Sequence, residues 1–197
     1  MLSLRSSLKP AVVILAAFIL IGGVIYPLGV LGLSQLLFNK QANGSLILRK
    51  GAVTGSRLIG QEFDDPKYFW GRISATAPPY NGGASGGSNL GPTNPALADE
   101  VKARIKALRE ADPDNRNPVP ADLATSSGSG LDPDISPAAA FYQAGRVARI
   151  RHLGLDRVRS LVARHVEGPQ WGLFGEPHVN VLELNQDLDR ISGKSGQ

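Results

Sequence analysis

Ser85 lies within the pentapeptide GASGG, which matches the G-x-S-x-G pattern of nucleophilic serines in α/β-hydrolases. Asp132 and His165 follow it in the chain order of a hydrolase triad. A nucleophile elbow, however, needs an apolar strand before the serine and a helix directly after it. Here residues 78–81 (PPYN) precede the serine and further glycine follows it. The local sequence therefore does not favour a serine hydrolase, which stays an alternative.

Metal and phosphate chemistry have little support in the sequence. There is no cysteine, which excludes disulfides, thiolate zinc sites and cysteine nucleophiles. His152, His165 and His178 are spaced 13 residues apart and form no H-x-x-x-H pair, so surface or core roles are favoured over metal ligation. The chain also lacks the G-x-x-x-x-G-K-[ST] and G-x-G-x-x-G phosphate-binding patterns.

The charged residues suggest structural roles. Asp132 and Asp134 flank a proline, as in a turn or helix-capping device. Arg146 and Arg149 fall on one helical face, which we interpret as a solvated face in preference to an anion site. The net charge of +4 is scattered and no basic block interleaves with aromatic residues, so no nucleic-acid partner is expected. The residues alone predict a binding or assembly protein and not an enzyme.

A long apolar segment near the start of the chain predicts a membrane anchor. Residues 10–39 contain no charge over 30 positions, and residues 11–33 are almost wholly apolar. About 20 such residues cross the hydrocarbon core as a helix. The segment is longer than the core of a signal peptide and lacks a small-x-small cleavage site. We expect an uncleaved transmembrane helix at 11–33, after a cytoplasmic tail at 1–10.

The predicted membrane helix carries three spaced glycines. In a regular helix Gly22, Gly29 and Gly32, seven and three residues apart, share one face. Small residues let helix backbones approach closely in lipid, so this face is a candidate contact for partner helices. Ordinary membrane-helix glycine content explains them equally well. Pro27 is expected to kink the helix.

The remainder of the chain predicts one small α+β domain. A connector at 34–56 leads to a domain at 57–192 and a tail at 193–197. Trp70 and Trp171 are expected in the core. The expected elements are strands at 46–48, 57–63 and 179–184, and helices at 95–110, from N-cap Ser136 to a stop at Gly154, and from N-cap Asp156 to 167. The Gly- and Ser-rich residues 76–95 are either disordered or an ordered functional loop.

Several segments resemble the KdpC family, the small accessory subunits of potassium-transporting P-type ATPases, and cover nearly the whole chain in order. Ile73, Asp134 and Gln186-Asp187 depart from the family pattern at local turns and surface. The segments are YPL (26–28), QANGSLI (41–47), GSRLIGQEF (55–63), YFWGRISAT (68–76), SGGSNLGPTNP (85–95), VPADLATSSGSGLDPDIS (119–136), YQAGRVA (142–148) and GEPHVNVLELN (175–185).

The resemblance implies a non-catalytic subunit of a potassium importer in the bacterial plasma (inner) membrane. The implied partners are a potassium-translocating subunit, a P-type catalytic subunit and a small single-span subunit. The family is described as a catalytic chaperone that raises the ATP affinity of the catalytic subunit, and the residue matching its nucleotide-contacting glutamine is Gln143. The implied cofactor is therefore ATP, bound with or by the catalytic subunit.

Orientation bears directly on the contact with ATP. Positive charges flank the apolar segment almost equally, but a short basic N-terminal tail usually stays in the cytoplasm. We therefore expect an extracytoplasmic domain, which cannot touch cytoplasmic ATP. Any effect on ATP affinity would then travel through subunit contacts. A free-standing extracytoplasmic binding module remains a further alternative.

Overall fold

The computed structural model describes residues 4–49 and 51–193, with the backbone alone at residues 4–6. It divides into two compact units, Met1–Leu46 and Ile47–Gln197. The helices are α1 Leu4–Leu20, a π-helical turn Ile21–Ile25, α2 Tyr26–Leu37, α3 Asn39–Ala42, α4 Pro95–Ala111, α5 Ala121–Ala124, α6 Pro137–Ile150, α7 Leu155–His165 and α8 Val181–Gly193. The strands are β1 Leu46–Arg49, β2 Ala52–Ser56, β3 Asp134–Ile135, β4 Val166–Glu167 and β5 His178–Asn180.

The first unit is dominated by one apolar helix. Ser7–Leu37 forms 31 helical residues, none of them buried within the chain. This length exceeds what a bilayer core requires, so the helix fits a single-pass membrane anchor. The π-helical turn lies just before Pro27, whose ring would collide with the carbonyl four residues back in a regular helix.

The second unit is the predicted α+β domain. β1 pairs with β2, and β3, β5 and β4 form an antiparallel sheet with β5 in the centre. Val179 of β5 faces Ile135 on one side and Val166 on the other. Helices α6, α7 and α8 pack around this sheet because their apolar faces include fully buried residues such as Val147, Val158 and Leu184. The predicted fold class is confirmed.

The predicted starts of α4 and α6 agree with the structure. Asn94 caps α4 by accepting a hydrogen bond from the backbone N–H of Ala96, and Ser136 caps α6 in the same way from Ala139. The predicted helix at 95–110 and the predicted start of α6 are therefore confirmed. The strand predicted at 46–48 is also confirmed, as β1.

Other boundary predictions were wrong. The strand expected at 57–63 is a turn and an irregular segment, because Ser56 binds the N–H groups of Leu58 and Ile59. Gly154 is the N-cap of α7 rather than the stop of α6, and this places Asp156 inside the first turn.

The predicted final strand at 179–184 extends only to Asn180. The Asn180 side chain accepts a hydrogen bond from the N–H of Glu183 at 3.2 Å and thereby caps α8. The placement of Trp171 in the core was also wrong: Trp70 is 6% exposed, as expected, but Trp171 is 83% exposed.

Candidate functional site

An irregular segment at residues 67–73, here called the strap, runs through the centre of the domain. Its core residues Phe69 and Trp70 are buried, yet in the described structure these positions belong to no strand. Buried backbone groups need hydrogen-bond partners. Side chains supply them for six successive carbonyls, from residue 67 to residue 72; the donors in order are Arg151, Arg146, Asn185, Gln143, Arg104 and Tyr80.

Two carboxamides clamp the middle of the strap. Asn185 of α8 accepts from the N–H of Phe69 and donates to its carbonyl, both at 2.9 Å. Gln143 of α6 accepts from the N–H of Trp70 at 2.8 Å and donates to its carbonyl at 3.1 Å. Each side chain thus satisfies one residue's donor and acceptor together, as a neighbouring strand would.

Gln143 is only 1% exposed. Besides the two bonds to Trp70, its oxygen accepts from Arg146 at 2.6 Å and its nitrogen donates to the carbonyl of Ala139 at 3.3 Å. Its hydrogen-bonding capacity is used inside the domain. A nucleotide contact through Gln143 stays a prediction, and it would require these core bonds to break. The observed geometry gives this residue a structural role.

Arg146 is also buried, at 1% exposed, so its interpretation as part of a solvated face was wrong. Its guanidinium lies 4.4 Å from the centroid of the Trp70 ring and donates to the carbonyl of Tyr68. Burial lowers the pKa of Arg146 to about 10, so it is still charged at neutral pH. Arg149 does fit that interpretation, since its half-exposed side chain pairs with Asp112 at 2.7 Å.

The strap ends where two glycine-rich loops meet, at residues 81–94 and 126–131, here called the glycine loops. Tyr80, directly before the first loop, donates from its hydroxyl to the carbonyl of Arg72 at 2.7 Å, and burial raises the pKa of Tyr80 to about 12. The N–H of Ser127, in the second loop, donates to the carbonyl of Ile73 at 3.1 Å. The strap therefore holds both loops in place.

The glycine loops are ordered and contact each other. Of the two alternatives for residues 76–95, disorder or an ordered loop, the structure has the ordered loop. Gly86 donates to the carbonyl of Ser129 at 2.9 Å. A Cβ atom at Gly130, where φ is +67°, would stand 2.6 Å from the carbonyl oxygen of Gly86. Glycine is thus required for the two backbones to approach. Residues 82–85 and 91–94 are exposed, and residues 73–98 carry no charge, so the loops form a polar, uncharged surface.

The candidate hydrolase residues have separate partners in the structure. Ser85 donates from its hydroxyl to the carbonyl of Ser129, Asp132 pairs with Arg72 at 3.0 Å, and His165 lies 3.1 Å from Asp187. Asp132 also accepts from the N–H of Asp134, which is the predicted turn device. Within residues 4–49 and 51–193, no group of three or more His, Cys, Asp or Glu side chains could hold a metal ion.

The glycines of the apolar helix leave open space around them. A Cβ atom at Gly22, Gly29 or Gly32 would meet no atom within 4 Å. Their placement on one face assumed a regular helix, however, and Gly22 lies inside the π-helical turn. A π-turn acts as one inserted residue and rotates the face by up to about 100°. Gly29 and Gly32 keep their shared face, and Gly22 is turned away from it.

Sequence reasoning missed most of the donors that hold the strap, among them Asn185. A signal for Asn185 exists: Val181, Asn185 and Leu188 follow the i, i+4, i+7 spacing of a buried helical stripe. Because we expect a strand at 179–184, no helix is predicted there, and Asn185 is not placed on a buried helical face. For Arg104, Arg151 and Tyr80, no local pattern predicts a bond to a distant backbone carbonyl.

Comparison with known proteins identifies close relatives. A family model described as "K+-transporting ATPase, c chain" matches residues 8–190. A protein of Methylococcus capsulatus named "Potassium-transporting ATPase KdpC subunit" is 63% identical over 184 residues, which cover 93% of this chain and 97% of the relative. Proteins with the same name from Variovorax paradoxus and Dechloromonas aromatica are 60% and 57% identical, over 94% and 96% of this chain and 97% and 100% of their own lengths.

Proposed function

Since the chain belongs to the KdpC family of potassium-transporting ATPase subunits, we propose that it is the non-catalytic, membrane-anchored subunit of an ATP-driven potassium importer. It assembles with a potassium-translocating subunit, a P-type catalytic subunit and a small single-span subunit in the bacterial plasma membrane. The observation that carries this proposal is the near full-length match to relatives of that name. The chain itself lacks the D-K-T-G motif that P-type catalytic subunits phosphorylate.

The architecture supports an assembly role. A long apolar helix provides the anchor, and Gly29 and Gly32 on it offer a face that neighbouring helices can approach closely. Gly22 also belongs to the proposed contact region, but it contributes less because the π-helical turn rotates it away from the face of Gly29 and Gly32. The glycine loops offer a polar, uncharged surface that is held rigid by the strap, and this surface is our candidate for docking onto the translocating subunit.

The domain acts on ATP affinity from a distance. We place it outside the cytoplasm, where it cannot reach ATP, so it raises the ATP affinity of the catalytic subunit through a coupling free energy between subunits. The internal bonds of Gln143 support this route over direct nucleotide contact, because its carboxamide is already engaged with Trp70 and Arg146. In this proposal ATP is bound by the catalytic subunit, and Gln143 keeps the docking surface in shape.

A deletion experiment tests the subunit assignment. Cells or membranes that lack this chain are expected to lose potassium-stimulated ATPase activity and high-affinity potassium uptake, and the affinity-tagged chain should copurify with the other subunits. Potassium-stimulated ATPase activity that persists at the normal level without the chain would reject the proposal.

Thiol labelling tests the orientation, because the chain has no cysteine of its own. The Lys106 side chain is 75% exposed, so a Lys106→Cys variant presents an accessible thiol. An impermeant maleimide added to intact cells should label it, whereas a Ser6→Cys variant in the N-terminal tail should react only after the cells are opened. The reverse pattern would place the domain in the cytoplasm and reopen direct contact with ATP.

A further inference from the structure

A small hairpin between β4 and β5 presents apolar side chains to solvent. Gln170 and Phe174 form its closing bridge, and Gln170 donates to the carbonyl of Phe174 at 2.7 Å. Three of its side chains are far more exposed than apolar residues in a folded core: Trp171 at 83%, Leu173 at 81% and Phe174 at 61%. Residues 171–174 are called the apolar tip below.

The conformation of the tip shows that the fold gains little from Trp171. The N–H of Leu173 bonds to the carbonyl of Gln170 at 3.1 Å, and the two residues between them have positive φ, +54° at Trp171 and +74° at Gly172. This is the pattern of a type I′ turn, in which asparagine or aspartate normally precedes glycine. A bulky residue at positive φ is strained. Such strain tends to occur where a side chain serves a role outside the fold.

The chemistry of the tip fits the boundary between lipid and water. Residues 168–175 (GPQWGLFG) contain no charge, and charged residues resume at Glu167 and Glu176 on either side. The Trp171 and Phe174 rings contact edge to face, with centroids 6.0 Å apart, and form one compact apolar knob. Tryptophan is enriched where membranes meet water, since its ring is apolar and its N–H can stay hydrated.

Chain connectivity makes the bilayer an available partner. Eight residues, 38–45, join the apolar helix to β1, and four of them form α3, so the connection spans less than the reach of about 30 Å of a fully extended chain of that length. A domain tethered so closely meets the bilayer surface continually. The tip also has no charged side chain that would fix its orientation against a protein surface, whereas insertion into lipid requires no such group.

We propose that the apolar tip inserts into the interfacial region of the membrane that holds the anchor helix. The exposed side chains of Trp171, Leu173 and Phe174 enter the acyl-chain boundary, while the charged base of the hairpin stays in water. The insertion gives the domain a second attachment to the bilayer and restricts its rotation on the tether. It depends on membrane anchoring alone and not on the assignment to a potassium importer.

Tryptophan fluorescence of the full-length chain in vesicles tests this insertion. The chain has two tryptophans and Trp70 is 6% exposed, so lipid-dependent changes report Trp171. In vesicles of phosphatidylethanolamine and phosphatidylglycerol, phosphatidylcholine brominated on its acyl chains should quench the Trp171 emission. Trp171→Phe should abolish the lipid-dependent quenching. Leu173→Asp should reduce it several-fold, whereas Ile150→Asp, at an exposed apolar position on α6, should leave it unchanged.

Emission that is quenched by aqueous acrylamide and not by brominated lipid would overturn the proposal. The tip variants alter exposed side chains, so thermal unfolding of the domain should stay at the wild-type temperature, and this comparison excludes misfolding as a cause of lost quenching.

Spin labelling separates lipid from a protein socket. A nitroxide attached to a Leu173→Cys variant should be accessible to oxygen and protected from a water-soluble nickel chelate, both in vesicles and in the assembled complex. Accessibility to the nickel chelate would show that the tip stays in water. Protection from both reagents in the complex would show that a protein pocket covers the tip. Either result would overturn the proposal.

Discussion

Replacement of Gln143 by leucine should strongly destabilise the domain. Leucine has a similar volume, so the change removes hydrogen bonds without opening a large cavity. It leaves the N–H and carbonyl of Trp70 buried without partners, where bonds of 2.8 and 3.1 Å existed. Each unsatisfied buried group costs about 1–3 kcal/mol, so the free energy of unfolding should fall by about 2–6 kcal/mol. The Arg146 guanidinium, which loses an acceptor, adds to the loss.

Urea unfolding of the full-length chain in detergent measures this loss. With a slope of about 2 kcal/mol per molar urea, the midpoint should fall by about 1–3 M. Asn185→Leu should give a loss of similar size, because Asn185 makes the equivalent two bonds to Phe69. Gln170→Leu is the matched control: Gln170 is exposed, so the same substitution should change stability by less than about 0.5 kcal/mol.

One result would refute the structural role of Gln143. Suppose that Gln143→Leu left the urea midpoint unchanged and weakened ATP binding by the assembled complex. The glutamine would then act at the nucleotide, and the strap would not depend on the hydrogen bonds between Gln143 and Trp70. Loss of stability together with weaker ATP affinity would instead indicate that the residue acts through the shape of the domain.

Three further predictions concern the glycine loops, one partly buried carboxyl and the anchor helix. Gly130→Ala should lower the free energy of unfolding by about 2–4 kcal/mol in urea titrations, because φ is +67° and the new Cβ would stand 2.6 Å from a backbone oxygen. Burial raises the pKa of Asp134, so its contribution to stability is full at low pH and is lost as the pH rises through the folded pKa. Asp134→Asn should therefore flatten the dependence of the urea midpoint on pH in the range just above the ordinary pKa of an unfolded aspartate, about 4. Leucine at both Gly29 and Gly32 should reduce copurification of the partner subunits by blocking close helix approach, while the stability of the domain stays unchanged.

Each of these predictions has an internal control. Gly128→Ala, in the same loop as Gly130 but with nothing within 4 Å of its Cβ, should be nearly neutral, and an equal loss at both positions would contradict the close-approach argument. A pH profile that keeps its slope in Asp134→Asn would show that another group controls it. Gly22→Leu should impair copurification less than the change at Gly29 and Gly32, and an equal loss would contradict the rotation caused by the π-turn.

The sequence by itself determined the features that depend on neighbouring residues. The 30 charge-free positions at 10–39 predict a membrane helix, because helix length and side-chain solvation in lipid are local properties. Ser136-Pro137 predicts a helix start, because a cap satisfies backbone donors two or three residues away. The family resemblance rests likewise on ordered short segments, and the comparisons confirm it over residues 8–190.

Only the tertiary structure decided how the strap is held. Gln143 and its partner Trp70 are 73 residues apart, and Asn185 and Phe69 are 116 apart. No periodicity or cap motif encodes such bonds, which form when helices and sheet close around residues 67–72, which belong to no strand. The exposure of Trp171 was also decided by the structure. Its large apolar side chain predicts a core residue, but a type I′ turn directs it into solvent. Local patterns fix the membrane segment and the start of α6, whereas burial depends on packing between residues far apart in the chain.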